Sequence, residues 1–342
     1  MPKSGSGAQG SGRSPADGAL AIVVIGRNEG TRLERSLRAA QGCADALVYV
    51  DSASSDASVE RARSQVDRVV TLDGQTPLSA ARARNAGFAA AQELLPNLAL
   101  VQFVDGDCAL EESWLSLART HLETHPELGG VCGRRREWQP ESSFWSRLLD
   151  FEWNAPIGPV ETFAGDVLVQ TGAFLEAGGY DETLVAGEDP DFAARLRRAG
   201  WVLERIPAEM SSHDATGLRA GQWWARQIRA GYALAEAWRR KGYALRVSEA
   251  RRAGSAVFWG GLVPVCTAAA ITSVGVVGVW GVALYAALIG RIFVRERQRR
   301  SSGDSALWAA SCTLAKFPTL HGMALHLWRR LRSPANGLIE YK

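Results

Sequence analysis

The tetrad Val104-Asp105-Gly106-Asp107 closes the apolar run LALVQFVDGD, and Gly187-Glu188-Asp189 follows about eighty positions later. An apolar run of this length reads as a buried strand. Two acids straddling a glycine at its end stand at the C-terminal edge of a sheet, where open α/β sheets bind ligands. Hard carboxylate oxygens there suit Mg2+ or Mn2+ holding a diphosphate. The later acidic group, Glu188, Asp189 and Asp191, could supply a base, with Asp189 favoured and Glu188 second. The plainer alternative is capping: strand-end aspartates mark turns, and acids in a first helical turn stabilise the helix dipole. The position after a strongly apolar strand favours the chemical reading, which is metal-assisted transfer from an activated phosphate donor.

Further candidates surround these acids. Asp51 and Asp56 lie in VYVDSASSD, again just past a strand. A carboxylate there can accept hydrogen bonds from a base or ribose, and Asp56 suits a helix cap better than Asp51 does. Arg84, next to Asn85 in ARARNAG, is either a solvated helical arginine or a fork for donor phosphate. His213 is either a packed histidine or a third metal ligand. Arg226 lies with Trp223, Trp224 and Arg229 on a helix and is a candidate for donor binding.

The elements that must position these residues alternate. From Ala19, strands (ALAIVVIG, ALVYVD, RVVTLD, LALVQFVD) alternate with helical patterns (TRLERSLRAA, ASVERARSQ, SAARARNAGFAAAQELL, EESWLSLARTHLE). This predicts an α/β domain with a mostly parallel sheet flanked by helices over residues 19–245. After residue 130 the alternation loosens. VCGRRREW reads as one more strand, DVLVQ as another, EDPDFAARLRRAGW as a helix, WVLERIPAEMSSH as a strand and QWWARQIRAGYALAEAWRRKG as a long amphipathic helix.

Residues 1–18 are Gly/Ser-rich with no apolar stretch and read as a disordered tail without a signal-peptide core. Residues 246–342 read as a membrane-associated helical region. Within it, residues 254–294 carry no charge until Arg291. One span takes roughly 20 apolar residues, so this length suits a hairpin turning near 274–278, with basic flanks that keep both ends cytoplasmic. A buried helical pair of a soluble domain is the alternative. The segment 305–332, interrupted by Lys316 and Pro318, reads as interfacial and amphipathic. The expected location is the inner (cytoplasmic) membrane with the catalytic domain facing the cytoplasm. Five scattered cysteines without Cys-x-x-Cys spacing point to reduced thiols, not to a disulfide frame or zinc site. The net charge of +3, with arginines bracketing apolar sequence, points to a membrane surface and away from nucleic acid.

Six ordered pieces, AIVVIGRNEG, VDSASSD, ARARNAG, FVDGD, GGYDE and GEDPDFAARLRRAGW, make residues 19 to about 240 resemble a family 2 glycosyltransferase. The resemblance implies a GT-A fold, a nucleotide-diphosphate-sugar donor and inverting single displacement. It would place Asp51 on the base or ribose, Asp105 and Asp107 as the Asp-x-Asp pair with Asp107 on the metal, and Asp189 as general base. The Gln-x-x-Arg-Trp signature of processive synthases has no clean match around Gln222–Arg229, so one sugar per encounter is expected. The ending GLIEYK resembles bacterial members that build exopolysaccharide or lipid-linked saccharides, so a lipid-linked or saccharide acceptor is expected. Two rivals remain: a sugar-phosphate nucleotidyltransferase, which should carry a Gly- and Lys/Arg-rich loop where only GRNEG stands, and a non-catalytic binding or assembly protein of the same fold.

Overall fold

The structure is a computed structural model that describes residues 18–184, 186–240, 247–274 and 279–332. The expected tail over 1–18 (all but Gly18), the tight turn expected near 274–278 (all but Val274) and the GLIEYK ending lie outside those residues. The first half runs β1 (Ala19–Gly26), α1 (Thr31–Ala40), β2 (Ala46–Asp51), α2 (Ser58–Arg63), β3 (Arg68–Thr71), α3 (Ala80–Leu94) and β4 (Leu98–Asp105). It continues with β5 (Cys108–Leu110), α4 (Trp114–Thr124), β6 (Leu128–Glu137), α5 (Phe144–Trp153), β7 (Gly158–Pro159), β8 (Val167–Gln170), α6 (Thr171–Glu176), α7 (Glu188–Arg198), β9 (Val202–His213) and α8 (Ala220–Arg239).

These strands form one sheet in the order β3-β2-β1-β4-β8-β6-β9-β5, with β7 paired to β9. The four N-terminal strands pair in parallel, as the alternation predicts. Beyond β4 the sheet is mixed. β8 runs antiparallel to both β4 and β6, β9 is parallel to β6, and β5 and β7 are antiparallel to β9. The change of pattern after residue 130 is the sequence trace of this switch, because antiparallel strands need no crossover helix.

The direction in which successive strands are added to the sheet reverses between β1 and β4. β2 and β3 lie on one side of β1 and β4 on the other. Their C-terminal ends are in register, Ile25 beside Asp105, and ligand clefts form at such switch points. Helix α3 lies against this part of the sheet because Gly87 carries no side chain. A Cβ there would collide with Val23 and come within 2.9 Å of Val50. Ser79 caps α3 by accepting from the Arg82 N–H, which sets where Arg84 emerges one turn before Gly87. Under the sheet, Trp114 is fully buried, and its indole N–H donates to Gln102 Oε1 at 2.8 Å, so this buried indole is satisfied.

The C-terminal helices are α9 (Val247–Val257), α10 (Val263–Val274), α11 (Val279–Glu296), α12 (Ser302–Leu314) and α13 (Lys316–Arg332). A π-helical turn, Phe258–Leu262, joins α9 to α10. Among the described residues one helix, Glu249–Thr272, is long and apolar enough to cross a membrane, with mean hydropathy 1.6 and only 11% of its apolar window buried. The expected single segment 305–332 is two helices broken at Ala315, and Pro318 sits in the first turn of α13, where a missing N–H costs nothing. One face of α13 packs on α8 so closely that glycine is required on both helices. A Cβ on Gly231 would strike the Thr319 carbonyl oxygen, and one on Gly322 the Ile228 carbonyl oxygen. His326, buried in the same contact, pairs with Glu236 of α8.

Replacing Gly322 with Val forces these backbones apart. The expected result is a loss of about 1–3 kcal/mol and faster hydrogen exchange in α13, with exchange in β1 and β4 unchanged. Unaltered exchange in α13 would contradict the close crossing.

Candidate active site

A cleft of about 650 Å3 opens at the switch point, walled by the ends of β1 and β4, the start of α7 and one face of α8. Asp105, Asp107, Arg84, Glu188, Asp189, His213 and Arg226, far apart in sequence, all line it. Five arginines (Arg27, Arg84, Arg135, Arg226, Arg229) and five carboxylates (Glu29, Asp105, Asp107, Glu188, Asp189) face it. A diphosphate entering that balanced field adds negative charge, so a bound cation would be favoured with it.

Arg84 is the centre of the arrangement. Its side chain is 2% exposed. Nη2 donates to Asp105 Oδ1 at 3.0 Å, while Nη1 donates to Glu188 Oε1 at 3.0 Å and lies 3.2 Å from Asp189 Oδ1. Burial works against its charge, but the surrounding carboxylates outweigh that and hold its pKa well above the ordinary value. Arg84 is therefore neither solvated nor turned outward to phosphate; it ties the Asp-x-Asp strand to the first turn of α7. Asn85, its neighbour, brackets Tyr180: the amide donates to the Tyr180 carbonyl and accepts from the Tyr180 N–H, both at 2.9 Å. That pins the GGYDE turn behind the guanidinium.

Asp105 is held on its other oxygen too. Arg135 Nη2 lies 3.4 Å from Asp105 Oδ2 and 2.9 Å from Asp166 Oδ1. Asp166, fully buried, accepts the Asp105 N–H at 2.9 Å and the Ser211 hydroxyl at 2.5 Å. Gly165 beside it has φ +71°, and a Cβ there would run into Asp105 and Arg135. Its N–H donates to Asp189 Oδ2 at 2.8 Å. Asp189 is thus oriented by Gly165 and Arg84. Burial, with Arg84 pulling the other way and Glu188 adding to the rise, pushes its pKa up to about 7. A carboxyl poised there suits proton abstraction near neutral pH.

With both Asp105 oxygens engaged by guanidinium groups, Asp107 and His213 are the better placed cation ligands. Ligand atoms of Asp105, Asp107 and Cys108 fall within 4.8 Å of one another, and His213 Nε2 lies 3.5 Å from Asp107 Oδ2. Burial lifts the Cys108 thiol well above its usual pKa, so it is a protonated packing group and not a thiolate ligand. Burial opposes a charge on His213, but Asp107 and Glu137 together raise its pKa to about 9. Carboxylate oxygens with one imidazole nitrogen, once the cation displaces its proton, form a donor set for Mg2+ or Mn2+.

Asp51 is the candidate that the structure does not bring to the cleft surface. It is fully buried, and its oxygens accept from the Tyr49 hydroxyl and from the N–H and hydroxyl of Ser54 at 2.6–2.9 Å. The adjoining Ser52 lines the cleft instead. Asp56 accepts the Ser58 N–H at the start of α2 and the Gly30 N–H of the first turn, a structural role. Arg226 bonds Glu152 at 3.1 Å and stacks on Trp153 at 4.9 Å.

Four contributors escape the sequence reading: Arg135, Glu137, Trp153 and Asp166. Arg135 and Glu137 sit in an Arg-Arg-Arg-Glu run that looks like a solvated face. Trp153 ends a helix for which no strand-helix alternation prepares. The one usable signal is Ala-Gly-Asp at 164–166, a glycine beside an acid just before an apolar strand.

Comparison with known proteins finds similar chains among glycosyltransferases. Residues 21–180 match the model of "Glycosyl transferase family 2". The chain is 26% identical over 224 residues to the pre-mycofactocin glycosyltransferases of two Mycobacterium tuberculosis strains, CDC 1551 / Oshkosh and ATCC 25618 / H37Rv. The alignment covers 62% of this chain and 46% of each relative, so the chain spans about half the length of the curated relatives it matches. A mannosyltransferase from Pyrobaculum calidifontis, solved with GDP-Man and Mn2+, superposes with a TM-score of 0.57 at 17% identity, covering 93% of this chain and 89% of that one. That likeness establishes a shared fold.

Removing Arg84 strands three carboxylates. Arg84→Met is expected to cost about 3–5 kcal/mol at pH 8. The folded-state pKa of Asp189 is raised, so its proton is bound more tightly in the fold, and the penalty from its charge is present above about pH 7 and fades as pH falls. Denaturation at pH 8 and pH 5.5 should therefore show a smaller deficit at the lower pH. Equal deficits would contradict the assignment.

Proposed function

We propose that this family 2 glycosyltransferase domain transfers a sugar from a nucleoside-diphosphate sugar to an acceptor hydroxyl, with inversion at the anomeric carbon and a requirement for Mg2+ or Mn2+. One observation carries the reading: the Asp-x-Asp acids and Asp189 face one cleft, coupled through a single buried guanidinium. The donor diphosphate is assigned to the arginine-lined side near Asp105 and Asp107, and the acceptor to the side of Asp189.

Asp189 accepts the proton of the attacking hydroxyl, a contribution of roughly 10²–10⁴ in rate. The Gly165 N–H and Arg84 fix which way that carboxylate turns. Arg84 and Arg135 hold one oxygen each of Asp105, so the turn carrying Asp107 is set before donor arrives. Held at Asp107 and His213, a divalent cation would supply positive charge against the departing nucleoside diphosphate. The donor of the Pyrobaculum enzyme, GDP-Man with Mn2+, is consistent with this class of donor and cation.

For the acceptor we favour a lipid-linked saccharide over a free one, in exopolysaccharide or lipid-linked saccharide synthesis at the inner membrane, with the catalytic domain facing the cytoplasm. Past Asp189 the cleft adjoins a smaller, mainly apolar cavity of about 200 Å3 between α7, α8 and α9, walled by Leu184, Pro190, Ala230 and Ala237. Glu249 and Arg252 on its rim belong to the first turns of the exposed apolar helix Glu249–Thr272. A membrane-held acceptor could reach Asp189 by that side.

Release of nucleoside diphosphate from a nucleotide-sugar panel, with and without saccharide acceptors, tests the reading. Asp189→Asn is expected to reduce transfer by roughly 10²–10⁴ while donor still binds, and EDTA to abolish it. Because the base acts as a carboxylate and its pKa lies near 7, kcat/KM should fall about tenfold per pH unit below 7 and level off above. Undiminished transfer by Asp189→Asn would sink the assignment.

A further inference from the structure

We propose that Glu137 is a positioning residue for the cation site: it holds the His213 ring so that Nε2, and not Nδ1, faces Asp107. The inference deepens the metal-dependent reading above and rests on it.

Glu137 ends β6 and is paired in register with His213 at the end of β9. Its side chain is 1% exposed, yet three donors converge on its two oxygens. Oε1 accepts from His213 Nδ1 at 2.6 Å and from the Trp153 indole at 2.8 Å, and Oε2 accepts the Ala215 N–H at 3.2 Å. The backbone clamps the same place, since Glu137 N–H donates to Asp150 and Trp138 N–H to the His213 carbonyl. A carboxylate in this position can only accept, so Nδ1 must carry a proton toward it. The ring's other nitrogen then points at Asp107, 3.5 Å away. Acceptors behind a ligating histidine commonly set its orientation and basicity.

The same carboxylate reaches the arginine side of the cleft. Trp153, held by Glu137, has the Arg135 and Arg226 guanidinium groups over its ring, at 4.8 and 4.9 Å from the ring centre. One buried acid therefore bears on both the imidazole beside Asp107 and the tryptophan against which the two arginines pack. An amide cannot substitute, because a glutamine has one oxygen for three donors and must turn its NH2 against one of them.

The test uses the full chain with Mn2+ alone as probe, its free concentration read by electron paramagnetic resonance. Wild type is expected to bind Mn2+, His213→Ala to bind it more weakly, and Glu137→Gln to lose roughly 10–100-fold in affinity. Nitrogen-15 imidazole spectra, with His213 identified by its absence in His213→Ala, add a readout that a merely structural role would not move. Substoichiometric Mn2+ should broaden Nε2 of His213 before Nδ1 in wild type, and Glu137→Gln should erase that preference. If Glu137→Gln folds poorly, the wild-type spectrum decides alone: broadening of Nδ1 first overturns the proposal. Wild-type affinity and broadening in Glu137→Gln overturn it while leaving the metal site standing. No Mn2+ binding by wild type removes the metal reading itself, and this proposal with it.

Discussion

The cleft depends on one buried cation. Arg84 sits at the crossing of three carboxylates that belong to two separate parts of the chain, the end of β4 and the first turn of α7. Desolvating a guanidinium costs several kcal/mol, and it is offset only where partners surround it with good geometry. That condition makes the arrangement all-or-none. Asp105, Glu188 and Asp189 converge because Arg84 stands among them, and the burial of Arg84 is offset because they surround it. Arg135 and Asp166 repeat the device one layer further in, on the second oxygen and the backbone N–H of Asp105. The charges that would act on a donor are thus fixed by other charges before any ligand arrives, which is the preorganisation electrostatic catalysis requires.

Glycine makes the close approach possible. Gly165 and Gly187 take left-handed backbone beside the acids, at φ +71° and +86°, where a side chain is strained and, at 165, would occupy the space of Asp105. Gly231 and Gly322 play the corresponding part in α8 and α13, letting two backbones touch. Helix α8 thereby belongs to two structures at once. Its N-terminal half presents Arg226, Arg229 and Ala230 to the cleft, and its central and C-terminal turns carry the contact with α13.

Much of this was legible in the chain. The alternation of apolar runs and helical patterns from Ala19 to Asp105 specified four parallel strands, because buried strands and amphipathic helices differ in period. The acids at 105 and 107 stood out because they close a strongly apolar run, and those at 188 and 189 because they form a dense acidic group before a helix. ARARNAG yielded Arg84 as a candidate, although its actual partners are carboxylates, and no local pattern could say so. Asp51 shows the opposite limit. Its place after a strand suggested a ligand contact, but the turn folds Ser54 back onto it and its oxygens are engaged.

Sequence by itself determined the parallel half of the sheet, the chemical type of the site and the apolar character of the C-terminal region, since each rests on the composition and period of a continuous stretch. Tertiary structure alone decided that Arg135, Glu137, Trp153 and Asp166 belong to the site, that β8 reverses the sheet and that α13 is welded to α8. Those features arise from residues separated in sequence, 61 positions for Asp166 and Asp105 and 76 for Glu137 and His213, meeting by way of backbone register and glycine-sized gaps. A linear pattern records which side chains a segment buries; it does not record what they are buried against.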